Sequence, residues 1–276
     1  MTPVTLHMAY VGGVKIGGTS YFMSASSLNP TQAVEAPDLV AGHEMRRGWV
    51  YGKVDPTGNV TGPLHEGASS LWDLAFDRTT DLDHLSGSVA IEIAFYKGGG
   101  WSFSDCVINS LQISATAGEV VTFTADFAGR TAVTGSGSSS AVDCSKLMTW
   151  DRCLFSSGVT GISNLQSINF TINNNVQKLF AIQGAIGNLY PVDLPCGVRE
   201  ITGSISAYAE GGISSIALGA DAWADYDATT AAKTINFAVD PVLDVTFKAV
   251  FSRPEGAGGT GPAIYTLNFT AVCSAT

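Results

Sequence analysis

Apolar and polar residues alternate with a period of two in six separate parts of the chain. In each run every second residue is apolar, and those between are mostly Ser, Thr, Asn or charged. The runs cover residues 89–95, 121–127, 168–172, 201–207, 245–251 and 265–271. Successive side chains of a strand point to opposite faces of a sheet, so this pattern predicts strands with one apolar and one polar face. The sequence therefore predicts an all-β, mainly antiparallel fold.

Helical spacing is clear in one short segment only. Residues 69–76 place Leu71, Leu74 and Ala75 on one face, and Ser70 with Asp73 matches a capping box. A weaker helical pattern covers residues 145–154. Because helices do not alternate with the strands, the pattern disfavours a βαβ architecture.

The segments between the strands divide into turns and two longer loops. The glycine-rich residues 256–259 separate the last two runs and predict a hairpin. Residues 24–47 follow neither period and predict a long arm, whereas residues 134–140 have the composition of a flexible linker. Strands of similar character flank both loops, so we expect one domain over residues 1–276.

Composition and charge narrow the classes of function. Only 14% of the 276 residues are charged, against about 25% in an average soluble domain, and the net charge is −10. Such a chain does not bind nucleic acid by neutralising phosphates, and its few charges suggest a surface partly covered by neighbouring subunits. No apolar stretch is long enough for a transmembrane helix, and the first residues lack the pattern of a secretory signal.

The search for catalytic and metal-binding motifs is negative. The five cysteines contain no CxxC pair, which disfavours zinc and favours buried thiols, although a disulfide between two of them stays open. His43-Glu44 lacks the second histidine of a zincin motif, and no P-loop, GxSxG or dinucleotide-binding motif occurs. Asp81, Asp83 and His84 are more typical of a solvated turn than of a metal site. We therefore expect no enzyme activity, cofactor or metal.

The order of several segments resembles that of phage tail tube proteins of long, non-contractile tails. The resemblance runs from about Val11 to Thr270 and depends on order and spacing. The segments that carry it are RRGWVYG at 46–52, CVINSL at 106–111 with AGEVV at 117–121, SINFTINNN at 167–175 and REITGSI at 199–205. Residues 211–234 match no part of this pattern, which suggests an insertion.

This resemblance implies a β-sandwich with one helix on its flank. It also implies that six copies close into a ring and that the rings stack into a hollow tube around phage DNA and a tape measure protein. A terminator and distal tail or baseplate proteins would occupy the two ends. The expected location is the virion, after assembly in the host cytoplasm, with no membrane involved.

The resemblance directs attention to two sets of charged residues. Glu92, Asp126 and Glu200 lie on the polar sides of alternating strands, which makes them candidates to face the lumen, although an outward orientation is equally compatible with the pattern. Arg46 and Arg47 end the long arm and are candidates for contacts between rings, with a solvated turn as the alternative. No catalytic, cofactor-binding or metal-binding residue is expected.

Two other classes of function remain open at this stage. The first is another ring-forming component, such as a distal tail or terminator protein, or the tube of a phage-derived bacteriocin or secretion machine. The second is a carbohydrate-binding β-sandwich adhesin, which the Asn-, Gly- and aromatic-rich loops would suit. The missing secretory signal and the odd number of cysteines weigh against the adhesin.

Overall fold

The computed structural model describes most of the chain in twelve segments. These are residues 11–21, 25–28, 31–35, 50–77, 84–95, 100–134, 146–157, 163–182, 189–208, 232–252, 255–256 and 264–272. The expected contact residues Arg46 and Arg47 lie outside the described residues, as do residues 211–231 of the expected insertion.

The described residues form seventeen strands and one α-helix. The helix α1 is Ser69–Phe76. The strands are β1 (Val11–Ile16), β2 (Thr19–Tyr21), β3 (Ala25–Leu28), β4 (Thr31–Glu35), β5 (Val50–Asp55), β6 (Thr57–Pro63), β7 (Val89–Phe95), β8 (Gly100–Thr116), β9 (Thr122–Ala128), β10 (Thr131–Thr134), β11 (Cys153–Ser157), β12 (Ser163–Asn173), β13 (Glu200–Tyr208), β14 (Lys233–Val239), β15 (Leu243–Phe251), β16 (Glu255–Gly256) and β17 (Ile264–Val272). The predicted all-β fold with one flanking helix is confirmed.

Fifteen strands join into one sheet, and β4 pairs with β5 separately. The main path of the sheet is β11-β14-β15-β17-β13-β12-β8-β7-β1-β2, with β9, β6 and β3 branching from β8. All of the pairings are antiparallel, and β15 pairs with β17 as the glycine-rich spacer predicts. The segment predicted as an arm, 24–47, contains the two short strands β3 and β4.

Strand β8 connects two parts of this sheet, because its first half pairs with different strands from its second half. Residues 100–106 pair with β7 and residues 101–104 with β10, whereas residues 107–114 pair with β9 and residues 110–116 with β12. The change occurs next to Asp105, whose φ of 50° interrupts the extended backbone. An irregularity of this kind bends a strand and lets it serve two differently oriented groups of neighbours.

The sheet folds over on itself so that its apolar faces meet. Tyr21 of β2 contacts Phe123 of β9 edge-on at 5.5 Å between ring centroids, although these strands are not paired. Phe170 of β12 likewise stacks on Phe247 of β15 at 5.6 Å, across two intervening strands. One cluster of buried residues extends from Val14 to Phe269. The strands thus form two packed layers around a shared core, the arrangement expected of a sandwich.

Helix α1 packs its predicted apolar face onto this core. Leu71 and Ala75 are buried, Leu74 is partly buried, and Trp72 stacks on Phe170. The predicted capping box is wrong, because the helix begins at Ser69 with Ala68 as its N-cap and no side chain caps it. The helical pattern at 145–154 is also wrong. In its described part, residues 146–154, a 3-10 turn at Trp150–Arg152 precedes β11 and no α-helix forms, because extended pairing with β14 begins at Cys153.

His65 is buried beside the core and connects the helix to the sheet. Its Nδ1 accepts a hydrogen bond from the Gly67 N–H at 3.0 Å, and its ring lies 4.8 Å from that of Tyr21. Burial lowers the pKa of His65, and the positive charge of Lys146 lowers it further, against a hydrogen bond to the Ser20 backbone that raises it. The folded protein therefore favours the neutral ring.

We expect His65 to make the protein less stable at acidic pH. Its folded pKa lies below the unfolded value of about 6.5, so the unfolded chain binds the proton more readily and stability falls as pH drops through that value. A His65→Asn variant keeps an acceptor for the Gly67 N–H and cannot titrate in this range. Denaturant unfolding of both proteins between pH 7.5 and 5 should show wild type losing stability relative to the variant. Parallel curves would contradict this prediction.

Candidate assembly surfaces

The outer side of the main sheet carries almost only small, neutral, polar side chains. Cross-strand pairing arranges them in four rows across β6, β9, β8, β12, β13 and β17. The rows are Asn59, Asp126, Ser110, Asn173 and Glu200; Thr61, Thr124, Gln112, Thr171, Thr202 and Thr270; Thr122, Ser114, Asn169, Ser204 and Asn268; and Thr116, Ser167, Ser206 and Thr266. We call these residues the hydroxyl-amide face. It contains two acids and neither a basic nor an aromatic residue.

The opposite side of the same strands is apolar, which is why the face is continuous. Ile113 of β8, Phe123 of β9 and Phe170 of β12 alternate with the polar residues and are buried in the core. A sheet with one buried face needs this alternation on every strand. The strands must also pair in registers that place all their apolar residues on the same face. Hydroxyl pairs such as Ser206 with Thr266, 3.1 Å apart, connect neighbouring strands across the face.

The structure brings together two of the three acids predicted to face a lumen. Asp126 and Glu200 occupy the same row, separated by Ser110 and Asn173, which places them about 14 Å apart at three strand spacings. Glu200 is exposed. Asp126 is half-buried and accepts a hydrogen bond from Asn59 Nδ2 at 2.5 Å.

Glu92 occupies a different part of the sheet. It lies on β7 directly opposite Lys15 of β1 and Ser102 of β8, outside the four rows. Its neighbour Ile91 points into the core, so Glu92 is on the side of the strand away from the core, as the alternation predicts. Glu92 differs from the other two acids in two ways. It lies directly opposite a basic residue, and it lies outside the hydroxyl-amide face.

A long extension leaves the sheet between β12 and β13. Its two limbs, residues 174–182 and 189–199, lie antiparallel, with Leu179 N–H bonded to Asp193 O and Val192 N–H to Leu179 O. Its base is fixed to the rest of the molecule by ion pairs. Lys178 Nζ lies 2.5 Å from Asp55, and His84 Nε2 lies 3.1 Å from Asp193.

Asn174 and Arg199 attach this extension to the end of α1. Asn174 is fully buried, and its Nδ2 donates to Ala75 O at 2.8 Å and to Ile108 O at 3.0 Å. Its Oδ1 accepts from Arg199 Nε at 2.9 Å. The Arg199 guanidinium also donates to Phe76 O and lies 4.6 Å from the centroid of the Phe76 ring. A cation at the carboxyl end of a helix satisfies free carbonyls and complements the helix dipole.

Sequence analysis did not identify Asn174 and Arg199 as a buried pair, although both residues lie in segments that it singled out. Asn174 belongs to the run Asn173-Asn174-Asn175, which was interpreted as turn chemistry. Arg199 contributed only to the resemblance pattern. A triple asparagine predicts a turn from local preference alone. The contacts of its central member with α1 and β8 depend on residues 66 to 99 positions away.

Three of the five cysteines lie in the described part of the chain. Cys106, Cys153 and Cys196 carry no disulfide, while Cys144 and Cys273 lie outside the described residues. Burial raises the pKa of Cys106 to about 12 and that of Cys153 to about 11. Across the described segments, no three His, Cys, Asp or Glu residues gather as metal ligands would, and no helix is long and apolar enough to cross a membrane.

These features define a structural β-protein whose surfaces suit assembly with other subunits. A model of the family described as "Phage tail tube protein" matches residues 2–271, nearly the whole chain. The chain therefore belongs to the phage tail tube protein family, and it is a structural component of the phage tail. None of the curated proteins compared with this chain matches it.

Proposed function

We propose that copies of this chain close into rings, that the rings are hexameric, and that they stack into the hollow tube through which phage DNA enters the host. The tape measure protein and then the DNA occupy the lumen, and terminator and distal tail or baseplate proteins bind the two ends. Assembly takes place in the host cytoplasm. All residues, 1–276, form one domain in this proposal, which the large buried cluster from Val14 to Phe269 supports.

The hydroxyl-amide face is the observation that carries this proposal, and we assign it to the lumen wall. A wall that DNA must slide past has to avoid binding phosphates, which Lys and Arg neutralise with release of counterions. The face offers neutral hydroxyl and amide groups, together with Asp126 and Glu200, which repel a polyanion. Lys178 of the extension lines the same pocket as Asn59 and Asp126 at one edge of this side, where it is paired with Asp55, and Lys248 of β15 lies beyond the opposite edge.

Glu92 departs from the sequence expectation that it is a lumen candidate. In this proposal it lies on the surface of the ring and not in the lumen, because it is opposite Lys15 and outside the hydroxyl-amide face. Arg46 and Arg47 contribute to contacts between rings at the end of the arm, residues 24–47.

Electron microscopy of the purified protein over a concentration series tests the assembly. We expect hollow tubes, or six-fold rings that lengthen into tubes when a preformed tail tip is added as a nucleus. Single closed rings that never stack would favour a terminator or distal tail role. A monomer at every concentration, also with the nucleus, would refute the proposal.

A lysine placed on the hydroxyl-amide face should make the proposed lumen wall bind DNA, which the wild-type wall should not do. Thr171 lies in the middle of its row, so Thr171→Lys adds one positive charge per subunit to the proposed lumen. We expect assembled tubes of this variant to bind short duplex DNA at least about tenfold more tightly than wild-type tubes, with affinity falling steeply as salt rises. Filter binding at several salt concentrations measures this effect.

Thr134→Lys provides the matched control for charge. Thr134 is exposed on β10, outside the hydroxyl-amide face. The variant therefore has the same net charge as Thr171→Lys, but its added lysine lies at a different place on the subunit. We expect its tubes to behave as wild type. Equal DNA binding by the two lysine variants would contradict the assignment of the face to the lumen.

A further inference from the structure

Two apolar surfaces remain exposed at opposite ends of the molecule. The first lies on the extension, where Leu179, Phe180 and Ile182 are all exposed to solvent. We call these three residues the knob. Three neighbouring large apolar side chains at the surface are unusual for a subunit that stays alone, because apolar area in water is unfavourable and commonly marks an interaction site.

The second surface is a partly apolar cleft at the open end of the two-layered core, where Thr116 and Ser167 of the hydroxyl-amide face contribute to the polar part of the lining. It has a volume of about 590 Å³ and lies between β11 and the adjoining ends of β8 and β12. We call it the end cleft. Its apolar lining comprises Ala115, Trp150, Leu154, Phe155, Leu165 and Ile168. Trp150 and Leu154 are 49% and 63% exposed, so its rim is uncovered in the single chain.

The edge of β11 forms one wall of the end cleft and is open to pairing. Among the described residues, β11 is paired with β14 on one side only. An open edge presents N–H and C=O groups that another extended segment can satisfy. The limb that carries the knob is extended, so it can supply backbone groups as well as apolar side chains.

The positions of the two surfaces make them suitable for a head-to-tail contact. Strand β12 begins at the end cleft, where Asn164 to Ile168 contribute to the lining, and it ends at Asn173, where the extension begins. Its eleven residues span about 35 Å, so knob and cleft lie at opposite ends of the strand direction. A contact between two different patches at opposite ends can repeat from one copy to the next along the strand direction.

Charge at the two surfaces is also complementary. Lys53 is exposed at the base of the knob, with its Nζ 5.1 Å from the centroid of the Phe180 ring. Asp151 is exposed in the lining of the end cleft, and Glu119 is exposed nearby, its carbonyl bonded to the Trp150 N–H. Arg152 is the exposed basic residue between them, which leaves the acids in excess at this rim.

We propose that the knob of one copy inserts into the end cleft of a second copy, and that this contact joins successive rings. The identity of the partner, a second copy, rests on the proposed tube function; the contact itself rests on the two surfaces. Leu179, Phe180 and Ile182 fill the cleft against Trp150 and Leu154, and Lys53 approaches Asp151. The contact buries both apolar surfaces at once.

Complementation between two variants tests this contact. Ile182→Asp damages the knob and leaves the cleft intact, whereas Leu154→Asp does the reverse, and both positions are exposed enough to preserve the fold. Each variant alone should raise the critical concentration for tubes at least about tenfold, since the loss of one apolar anchor commonly weakens an interface by that much. An equimolar mixture should form complexes that contain one unit of each variant. The intact knob of the Leu154→Asp variant can bind the intact end cleft of the Ile182→Asp variant.

Val133→Asp is the matched control, because Val133 is 56% exposed on β10 and belongs to neither the knob nor the end cleft. It should assemble as wild type. Sedimentation velocity and electron microscopy of the three variants and the mixture give the readout. Wild-type-like tubes from both variants, or a mixture that contains no more complexes than its components, would overturn the inference.

The same measurements separate this inference from the proposed function. Wild-type tubes together with unaffected variants would leave the function intact and reject the contact. Wild-type copies that join head to tail without forming a hollow tube, with a mixture that still pairs, would reject the tube and retain the contact. Charge reversal gives a second measurement: Lys53→Glu and Asp151→Lys should each raise the critical concentration, and both changes in one chain should restore it.

Discussion

Replacing Asn174 by alanine is expected to lower the free energy of unfolding by about 3 kcal/mol, one of the two largest effects of any single substitution considered. The change leaves Ala75 O and Ile108 O without their side-chain donor and removes the acceptor for Arg199 Nε. Each buried polar group left unpaired costs about 1–3 kcal/mol. Urea unfolding followed by circular dichroism measures the loss.

Two further variants establish which hydrogen bonds produce this effect. Asn169→Ala removes an amide from the polar side of the same strand and should change stability by less than about 0.5 kcal/mol. Asn174→Asp keeps an acceptor for Arg199 but cannot donate to the two carbonyls, so it should remain strongly destabilised. If Asn174→Asp were as stable as wild type, the donated bonds would contribute nothing.

Gly203→Ala is expected to destabilise the protein by about 3 kcal/mol, at the upper end of overpacking effects. Gly203 lies on β13 opposite Phe170, and a Cβ at this position would collide with the backbone O of Asn169 and with the ring of Phe269. The ring covers the glycine, so the side chain has no space to occupy. Thermal unfolding measures the loss as a drop in Tm.

A control and a second substitution make this prediction specific. Ser204→Thr adds a methyl group at the next residue, on the hydroxyl-amide face, and should shift stability by less than about 0.5 kcal/mol. Phe269→Leu in the Gly203→Ala background removes the ring contact and should recover part of the lost stability, whereas alone it costs stability. Strictly additive effects of the two changes would refute the packing explanation.

The strands and their two faces could be predicted because that information is local. The run at 121–127 identified β9, and the same alternation assigned Phe123 to the core and Thr124 to the polar side. Helix α1 was located for the same reason, since Leu71 and Ala75 recur at helical spacing. Its predicted capping box was wrong, because Ala68 occupies the N-cap and no side chain caps the helix.

The candidate surfaces depended on pairings that no local pattern contains. Alternation placed Glu92, Asp126 and Glu200 on polar sides, but it could not show that two of them share a row and that Glu92 faces Lys15. The knob and the end cleft were also missed. Leu179 and Phe180 look like ordinary strand residues, and Trp150 and Leu154 like part of a short helix, until their exposure is known.

The sequence by itself determined the fold class, six of the strands, the helix α1, the acidic balance and the family. These follow from the spacing of apolar residues, from composition and from the order of segments along the chain. Only the tertiary structure decided the register of the strands, the burial of Asn174 and the position of the knob and the end cleft at opposite ends of β12. Backbone hydrogen bonds form equally well in many registers, so the choice among them depends on the packing of side chains that are distant in sequence.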